Sequence, residues 1–196
     1  MKKILSFFLT FTLCIFSIFP KNASANYINN IVNVDMSIPE IIETAKLYDI
    51  TTKINGNINK NDFVNCINKT YRDSLNYDYE SQYLNNRALD AGIKKVKKTT
   101  TYTGTKDGNG VSFNYKLNIE AYVSIYSEAS GYKKIVSVDP NDINSSYPSN
   151  LGIYNQYDSW SVIAPNGTYA TISGEGLLRT SGARNRILPF EVKIYP

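Results

Sequence analysis

The sequence feature that most constrains the fold is a regular alternation of apolar and polar residues from Val111 to Ile125. The apolar set occupies the odd positions: Val111, Phe113, Tyr115, Leu117, Ile119, Ala121, Val123 and Ile125. The positions between them are polar or amphipathic: Ser112, Asn114, Lys116, Asn118, Glu120, Tyr122 and Ser124. Successive side chains of a β-strand point to opposite faces, so the pattern predicts a strand of a half-buried antiparallel sheet. Because typical strands have about 5–6 residues, we expect a bulge or a bend in this one.

Strand-like segments around this stretch bring the expected number of antiparallel strands to about six. Residues 96–103 are rich in threonine, and the turn-forming residues 106–110 join them to the long strand as a hairpin. The other strands are predicted at residues 132–138, 159–164, 169–178 and 190–194, with a loop at residues 139–152. Pro165-Asn166-Gly167 predicts a tight turn. Gly174 and Gly176 indicate a bulge or the close approach of another backbone.

The residues before the strands predict helices. Ser37 and Glu40 have the spacing of a capping box, and apolar residues follow at helical spacing, so a helix is predicted at residues 38–48. A second helix is predicted to begin with Asn61 as its N-cap and Asp62 in its first turn. The apolar residues of this second helix recur every four positions: Phe63, Ile67, Tyr71 and Leu75.

The order of the predicted elements indicates the fold class. A third helix is predicted from Glu80 to Ala91, so the helices precede the strands instead of alternating with them. This order predicts an α+β protein, mainly β, in which an N-terminal helical segment packs on an antiparallel β-sandwich. We divide the chain into a signal peptide at residues 1–25, a mostly helical segment at residues 26–92 and the sandwich at residues 93–196. The last two are expected to form one globular unit.

The N-terminal residues have the pattern of a secretory signal peptide. Lys2 and Lys3 precede an almost entirely apolar run from Ile4 to Pro20, and Ala23-Ser24-Ala25 fits a signal peptidase site. We therefore expect cleavage after Ala25 and secretion without a permanent membrane anchor. The signal and the composition rich in Asn, Lys and Ile together indicate a bacterial protein. An uncleaved N-terminal anchor is the alternative, but the apolar run is slightly shorter than the about 20 residues that a spanning helix needs.

Composition excludes several classes of function. The formal net charge is +4, but three of these charges lie in the predicted signal, so the remaining chain is close to neutral and no nucleic-acid partner is expected. The absence of histidine excludes His-based triads and His metal ligands. Cys66 is the only cysteine after the signal, so no internal disulfide can form, and it is most simply a small helix residue. No motif points to a cofactor, and we expect none.

The strongest binding candidates are two tyrosines near the end of the long strand. Tyr122 and Tyr126 fall on its polar face, where exposed aromatic rings can stack on sugars or anchor a protein partner. The alternative is that a second sheet or a helix covers them. Trp160, by contrast, shares a face with Val162 and Ala164, which predicts core packing.

Two charged segments have both a functional and a structural interpretation. The lysines at residues 94–98 could contact an anionic polymer or lipid headgroups, although lysine commonly protects edge strands from aggregation. Residues 139–144 contain several oxygen ligands that calcium could use, but such residues are common in turns. We assign no metal site.

These observations predict a secreted, non-enzymatic binding or interaction module whose partner is an extracellular protein or a cell-surface glycan. Two rival functions belong to other classes. A membrane-active, pore-forming toxin would use the long hairpin, because an alternating strand of about 9–11 residues can cross a bilayer. A His-independent carboxylate hydrolase would need an acidic pair, for which Glu120 and Glu175 are the candidates because both are expected on outer sheet faces. No catalytic residue is assigned.

Overall fold

A computed structural model of the protein describes residues 30–76, 92–108, 111–147, 152–180 and 185–196. The predicted signal peptide, the predicted third helix and residues 109–110 of the predicted hairpin turn lie outside these ranges. In chain order the elements are α1 (Ile38–Leu47), β1 (Thr51–Asn55), α2 (Lys60–Leu75), β2 (Gly92–Gly108), β3 (Val111–Ser127), β4 (Lys133–Ser146), β5 (Gly152–Ile163), a 3₁₀ turn (Pro165–Gly167), β6 (Ala170–Thr180) and β7 (Arg186–Ile194).

The strands form two antiparallel sheets that pack face to face, and the two helices cover the far side of one of them. The larger sheet has the strand order β1-β5-β6-β7, and the smaller has the order β2-β3-β4. The protein is therefore α+β and mainly β, as predicted. The described residues hold seven strands instead of about six because β1, which the sequence did not predict, pairs with β5 from Thr51–Ile163 to Asn55–Ser159.

The main hydrophobic core lies between the sheets. β3 supplies the buried residues Tyr115, Leu117, Ile119, Ala121, Val123 and Ile125. The other strands supply Ile135, Val138, Ile143, Ile163, Ala170, Ile172, Leu178, Leu188, Phe190 and Ile194. The alternation in β3 therefore correctly predicted which of its faces is buried.

A second core lies between the helices and the four-stranded sheet. Its buried residues are Ile31, Val32, Ile41, Ala45, Ile50, Phe63, Val64, Cys66, Ile67, Trp160 and Val162. The rings of Phe63 and Trp160 meet edge to face with 6.4 Å between their centroids. The prediction that Trp160 packs in the core is confirmed.

The local signals at the helix ends are partly confirmed. Ser37 caps α1, and the reciprocal hydrogen bonds of a capping box join it to Glu40. The N-cap of α2 is Asn59, so the assignment of Asn61 was wrong. The Asn59 side chain accepts from the backbone N–H of Asn61 at 3.0 Å and of Asp62 at 3.4 Å, because an N-cap must precede the N–H groups it satisfies by two or three residues.

The segment before α1 is anchored to α2 by one buried amide. The Asn68 Oδ1 atom accepts from the backbone N–H of Ile31 at 2.8 Å and of Val32 at 3.2 Å. Its Nδ2 atom donates to the Val32 carbonyl at 2.9 Å. Residues 30–36 are therefore held against α2 without being a strand.

The expected irregularity lies beside the long strand and not within it. β2 and β3 pair without interruption from Gly92–Ser127 to Gly108–Val111. The register shifts fall between β3 and β4, where residues 139–142 of β4 stand opposite Tyr122 alone and where Val136 is an extra residue of β4. The predicted loop was therefore wrong for residues 139–146, which belong to β4. An edge strand tolerates Pro140 and the neighbouring Asp and Asn residues where its ladder bulges.

The two glycines of β6 lie where the backbone of β5 comes close, as predicted. A Cβ atom on Gly174 would lie 2.6 Å from the Asp158 carbonyl oxygen, and one on Gly176 would lie 2.6 Å from that of Asn155. The register between these strands shifts between Gln156 and Asp158, which makes Tyr157 an extra residue of β5.

Candidate binding surface on the three-stranded sheet

The surface of the three-stranded sheet that points away from the core is here called the outer face. Residues that pair across an antiparallel ladder share a face, so the even positions of β3 define it together with their partners. From β2 it includes Ile93, Lys95, Lys97, Thr99, Thr101 and Thr103. From β3 it includes Asn114, Lys116, Asn118, Glu120, Tyr122, Ser124 and Tyr126, and from β4 it includes Lys134, Asn144 and Ser146.

Tyr122 is an exposed ring held beside a lysine. Its exposed fraction is 39%, and the Lys95 Nζ atom lies 5.1 Å from the ring centroid. Lys95 also forms a 2.6 Å ion pair with Asp142 of β4, and this hydrogen bond raises the pKa of Lys95 above its usual value. The lysine therefore stays charged at neutral pH, next to a ring face that attracts cations.

Tyr126 is a half-buried ring on the same face, and it also lies beside a lysine. The Lys134 Nζ atom lies 5.5 Å from its ring centroid. Tyr122 and Tyr126 are four residues apart on one strand, so their backbones are separated by roughly 13 Å at 3.3 Å per residue. Ile93, the cross-strand partner of Tyr126, is itself exposed and extends the apolar surface at this end of the sheet. The two tyrosines predicted as binding residues thus share one face and one end of it.

The outer face carries charges of both signs. Lys97 and Glu120 form a 2.8 Å ion pair across the β2–β3 ladder. Lys95 and Lys97 are thus paired with carboxylates, which agrees with the structural interpretation of the lysine run on the edge strand β2. With four lysines and one glutamate among its members, the outer face offers ring surface and hydrogen-bonding groups together with an excess of positive charge.

The structure does not bring together the two carboxylates considered as a catalytic pair. Glu120 lies on the outer face, whereas Glu175 lies on the opposite side of the sandwich, where α2 packs. Thr171 and Glu175 are four residues apart on β6 and share a face, and the Thr171 hydroxyl is 3.4 Å from that of Thr70 in α2. The alternation showed that both glutamates point outward, but it could not show that they belong to different sheets.

The acidic segment considered for calcium has local hydrogen bonds of the kind that Asp and Asn form in turns. Asp139 Oδ1 accepts from the backbone N–H and the side-chain amide of Asn141, both at 3.0 Å. The first of these hydrogen bonds is also the main reason that the pKa of Asp139 is lowered. Asp142 is engaged with Lys95. Across the ranges that the structure describes, no cluster of three or more Cys, Asp or Glu side chains could hold a metal ion.

Sequence reasoning missed two residues that complete the candidate surface. Lys134 and Asp142 both come from β4, and they reach Tyr126 and Lys95 only through the β3–β4 pairing. Asp142 fell within a predicted loop, so no local pattern placed it near the tyrosines. Lys134 belonged to a predicted strand, but the sequence did not define the register of that strand.

Comparison of the chain with protein-family models, curated proteins and solved structures gives no match. Within the described residues, no helix is both long and apolar enough to cross a membrane.

Proposed function

We propose that this is a secreted, non-enzymatic binding module that uses the outer face to bind an extracellular protein or a cell-surface glycan. The observation that carries the proposal is the pair of tyrosines on one strand, each with a lysine near its ring. Such rings have an apolar body and a polar tip, and tyrosine is enriched in binding interfaces for this reason.

The support beneath these rings favours binding. β3 is the central strand of its sheet, and its other face is buried in the core, so the backbone under the tyrosines is held on both edges and from below. Lys95 is held in turn by Asp142. Side chains that are already ordered lose little further conformational entropy when a partner binds, which favours affinity.

The proposal is tested by a glycan array together with pull-downs on cell-wall material and extracellular proteins. The double variant Tyr122→Ala/Tyr126→Ala should weaken capture of the bound partner at least about tenfold, since central aromatic anchors commonly contribute 2 kcal/mol or more. Tyr122→Phe/Tyr126→Phe keeps the rings and should retain most of the binding.

The matched control is Leu47→Ala/Leu75→Ala. It removes two exposed apolar side chains from the helices on the other side of the molecule and should leave binding unchanged. Equal binding by the tyrosine-to-alanine variant and the wild type would remove the outer face from the proposal.

The membrane-active alternative depends on the uninterrupted β2–β3 hairpin, whose strands of 17 residues each exceed the length needed to cross a bilayer. The apolar face of β3 is buried in the core, so the hairpin would have to leave the sandwich before inserting. Dye release from anionic, neutral and sterol-containing liposomes separates the two functions. Leakage that is lost in a folded Val123→Asp variant would favour the toxin.

A further inference from the structure

Positive charge is concentrated in the three-stranded sheet. β2, β3 and β4 contain eight lysines and four acidic residues, whereas the other four strands and the two helices contain eight basic and seven acidic residues. Four of the eight lysines lie on the outer face: Lys95, Lys97, Lys116 and Lys134. The two exposed surfaces of the sandwich therefore differ in charge as well as in packing, and the outer face is the one suited to an anionic partner.

Two of these four lysines have no carboxylate partner. Lys95 and Lys97 form ion pairs with Asp142 and Glu120. In the part of the chain that the structure describes, no carboxylate lies within ion-pair distance of Lys116, which is exposed, or of Lys134, whose Nζ atom lies near the Tyr126 ring. The outer face thus keeps two ammonium groups that an anion from outside the protein can neutralise.

These two lysines lie near opposite ends of the outer face. Lys134 is the cross-strand partner of Tyr126, which is ten residues from Lys116 along β3. At 3.3 Å per residue this separation is roughly 33 Å, whereas three strands spaced about 4.8 Å apart span only about 10 Å. A small anion would contact one of the lysines at a time. An extended polymer that lies along β3 would contact both.

The groups between the two lysines suit a sugar chain. The Tyr122 ring is exposed, and an exposed ring on a rigid strand can stack on the apolar face of a sugar. Beside it on β2 lie three exposed hydroxyl groups, those of Thr99, Thr101 and Thr103. Hydroxyl groups both donate and accept hydrogen bonds, as the hydroxyls of a sugar do.

Other anionic partners fit this surface less well. The core of a protein–protein interface is depleted of charged residues, but the Lys97–Glu120 ion pair lies in the middle of the outer face. Anionic membranes are typically recognised by clusters of 4–8 basic residues, and proteins bind the phosphates of nucleic acids through a similar number of contacts. Two unpaired lysines at a wide separation match a polymer whose charges are more sparsely distributed.

We propose that the outer face binds a linear acidic polysaccharide that lies along β3, with its anionic groups at Lys116 and Lys134 and a sugar ring on Tyr122. This proposal rests on the binding function proposed above for the outer face, and it specifies the class and the charge of the ligand.

The first test compares acidic polysaccharides with neutral polymers of the same backbone. The full secreted protein is titrated with polygalacturonate and its methyl ester, and with dextran sulfate and dextran, and binding is followed by calorimetry. At low salt we expect at least one acidic polymer to bind about tenfold or more tightly than its neutral counterpart. This preference should decrease in 0.5 M sodium chloride because exposed charges are screened.

The second test removes the two unpaired charges. Lys116→Gln/Lys134→Gln should lower the affinity for the acidic polymer about tenfold and leave the affinity for the neutral polymer unchanged. The matched control is Lys46→Gln/Lys60→Gln, which removes the same charge from α1 and α2 and should bind like the wild type. Thermal unfolding establishes that both variants are folded.

Several results would overturn the proposal. These are equal binding of acidic and neutral polymers, equal affinities of the two lysine variants, and tighter binding of a single-stranded oligonucleotide or of anionic phospholipid vesicles than of either acidic polymer. Equal competition by monomeric galacturonate would contradict a chain that lies along β3. A neutral or protein partner whose capture is lost in Tyr122→Ala/Tyr126→Ala would overturn the acidic ligand but retain the binding function, so the two failures are distinguishable.

Discussion

The two outward surfaces of the β-sandwich differ in what lies against them. On the four-stranded sheet, α1 and α2 bury Phe63 and Trp160, whereas Tyr122 on the outer face keeps 39% of its surface exposed. Contacts on the helical side join distant parts of the chain, such as the hydrogen bond from the Tyr169 hydroxyl to the Thr70 carbonyl at 2.9 Å. Those on the outer face stay within one sheet, as where Lys95 of β2 reaches Asp142 of β4 across β3. The helical side is therefore packed across the fold, whereas the outer face keeps aromatic surface exposed to solvent.

The largest expected change in the free energy of unfolding comes from a test of this difference, in which one aromatic ring is removed from each side of the sandwich. Phe63→Ala should lower the free energy of unfolding by about 3–5 kcal/mol, because it leaves a cavity beside Trp160. Tyr122→Ala should lower it by less than about 1 kcal/mol, because the ring is already partly in water. Urea denaturation monitored by circular dichroism measures both. Similar losses in the two variants would mean that the outer face is as tightly packed as the helical side.

The next largest effect is the pH dependence of stability that arises from Asp158 of β5, whose cross-strand partner is Glu175 of β6. Burial raises its pKa from 3.8 to about 6 on folding, so the folded protein binds the proton more tightly than the unfolded chain. The stabilisation from this proton is complete below about pH 4 and is lost as the pH rises through 6. Over this interval the contribution is about 2–3 kcal/mol.

Denaturation midpoints at pH 4, 5, 6 and 7 measure this contribution as the difference between wild type and Asp158→Asn. Carboxyls whose pKa is lowered, such as Glu40 at the cap of α1 and Asp139, act in the opposite direction in both proteins and cancel in the difference. A difference that does not change with pH would show that Asp158 titrates alike in the folded and unfolded states.

The smallest expected effect is the coupling free energy of an exposed ion pair on the outer face. Lys97 and Glu120 are each more than 40% exposed, so a double-mutant cycle of Lys97→Ala and Glu120→Ala should give a coupling of about 0.2–1 kcal/mol. The coupling should decrease in 1 M salt because exposed charges are screened. A coupling above about 2 kcal/mol that persists in salt would indicate a buried pair and would contradict the exposed character of this face.

Part of the candidate site followed from the sequence. The period of two in the long strand placed Tyr122 and Tyr126 on the same face, and it predicted that this face is not the core face. Lys95 and Lys134 could not be assigned to these rings, because each reaches its tyrosine through an adjacent strand whose register no local pattern defines. Asp158 carried no signal either, because its burial depends on a bulge in β5 and on the close approach of Gly56.

The sequence by itself determined the features that depend on residues a few positions apart. The alternation in β3 and the capping box between Ser37 and Glu40 are of this kind, because the geometry of a strand or a helix end relates such residues directly. Tertiary structure decided the pairing of β1 with β5, the incorporation of residues 139–146 into β4 and the opposite locations of Glu120 and Glu175. The physical reason is that pairing and burial arise from contacts between segments distant along the chain, and local propensity does not specify these.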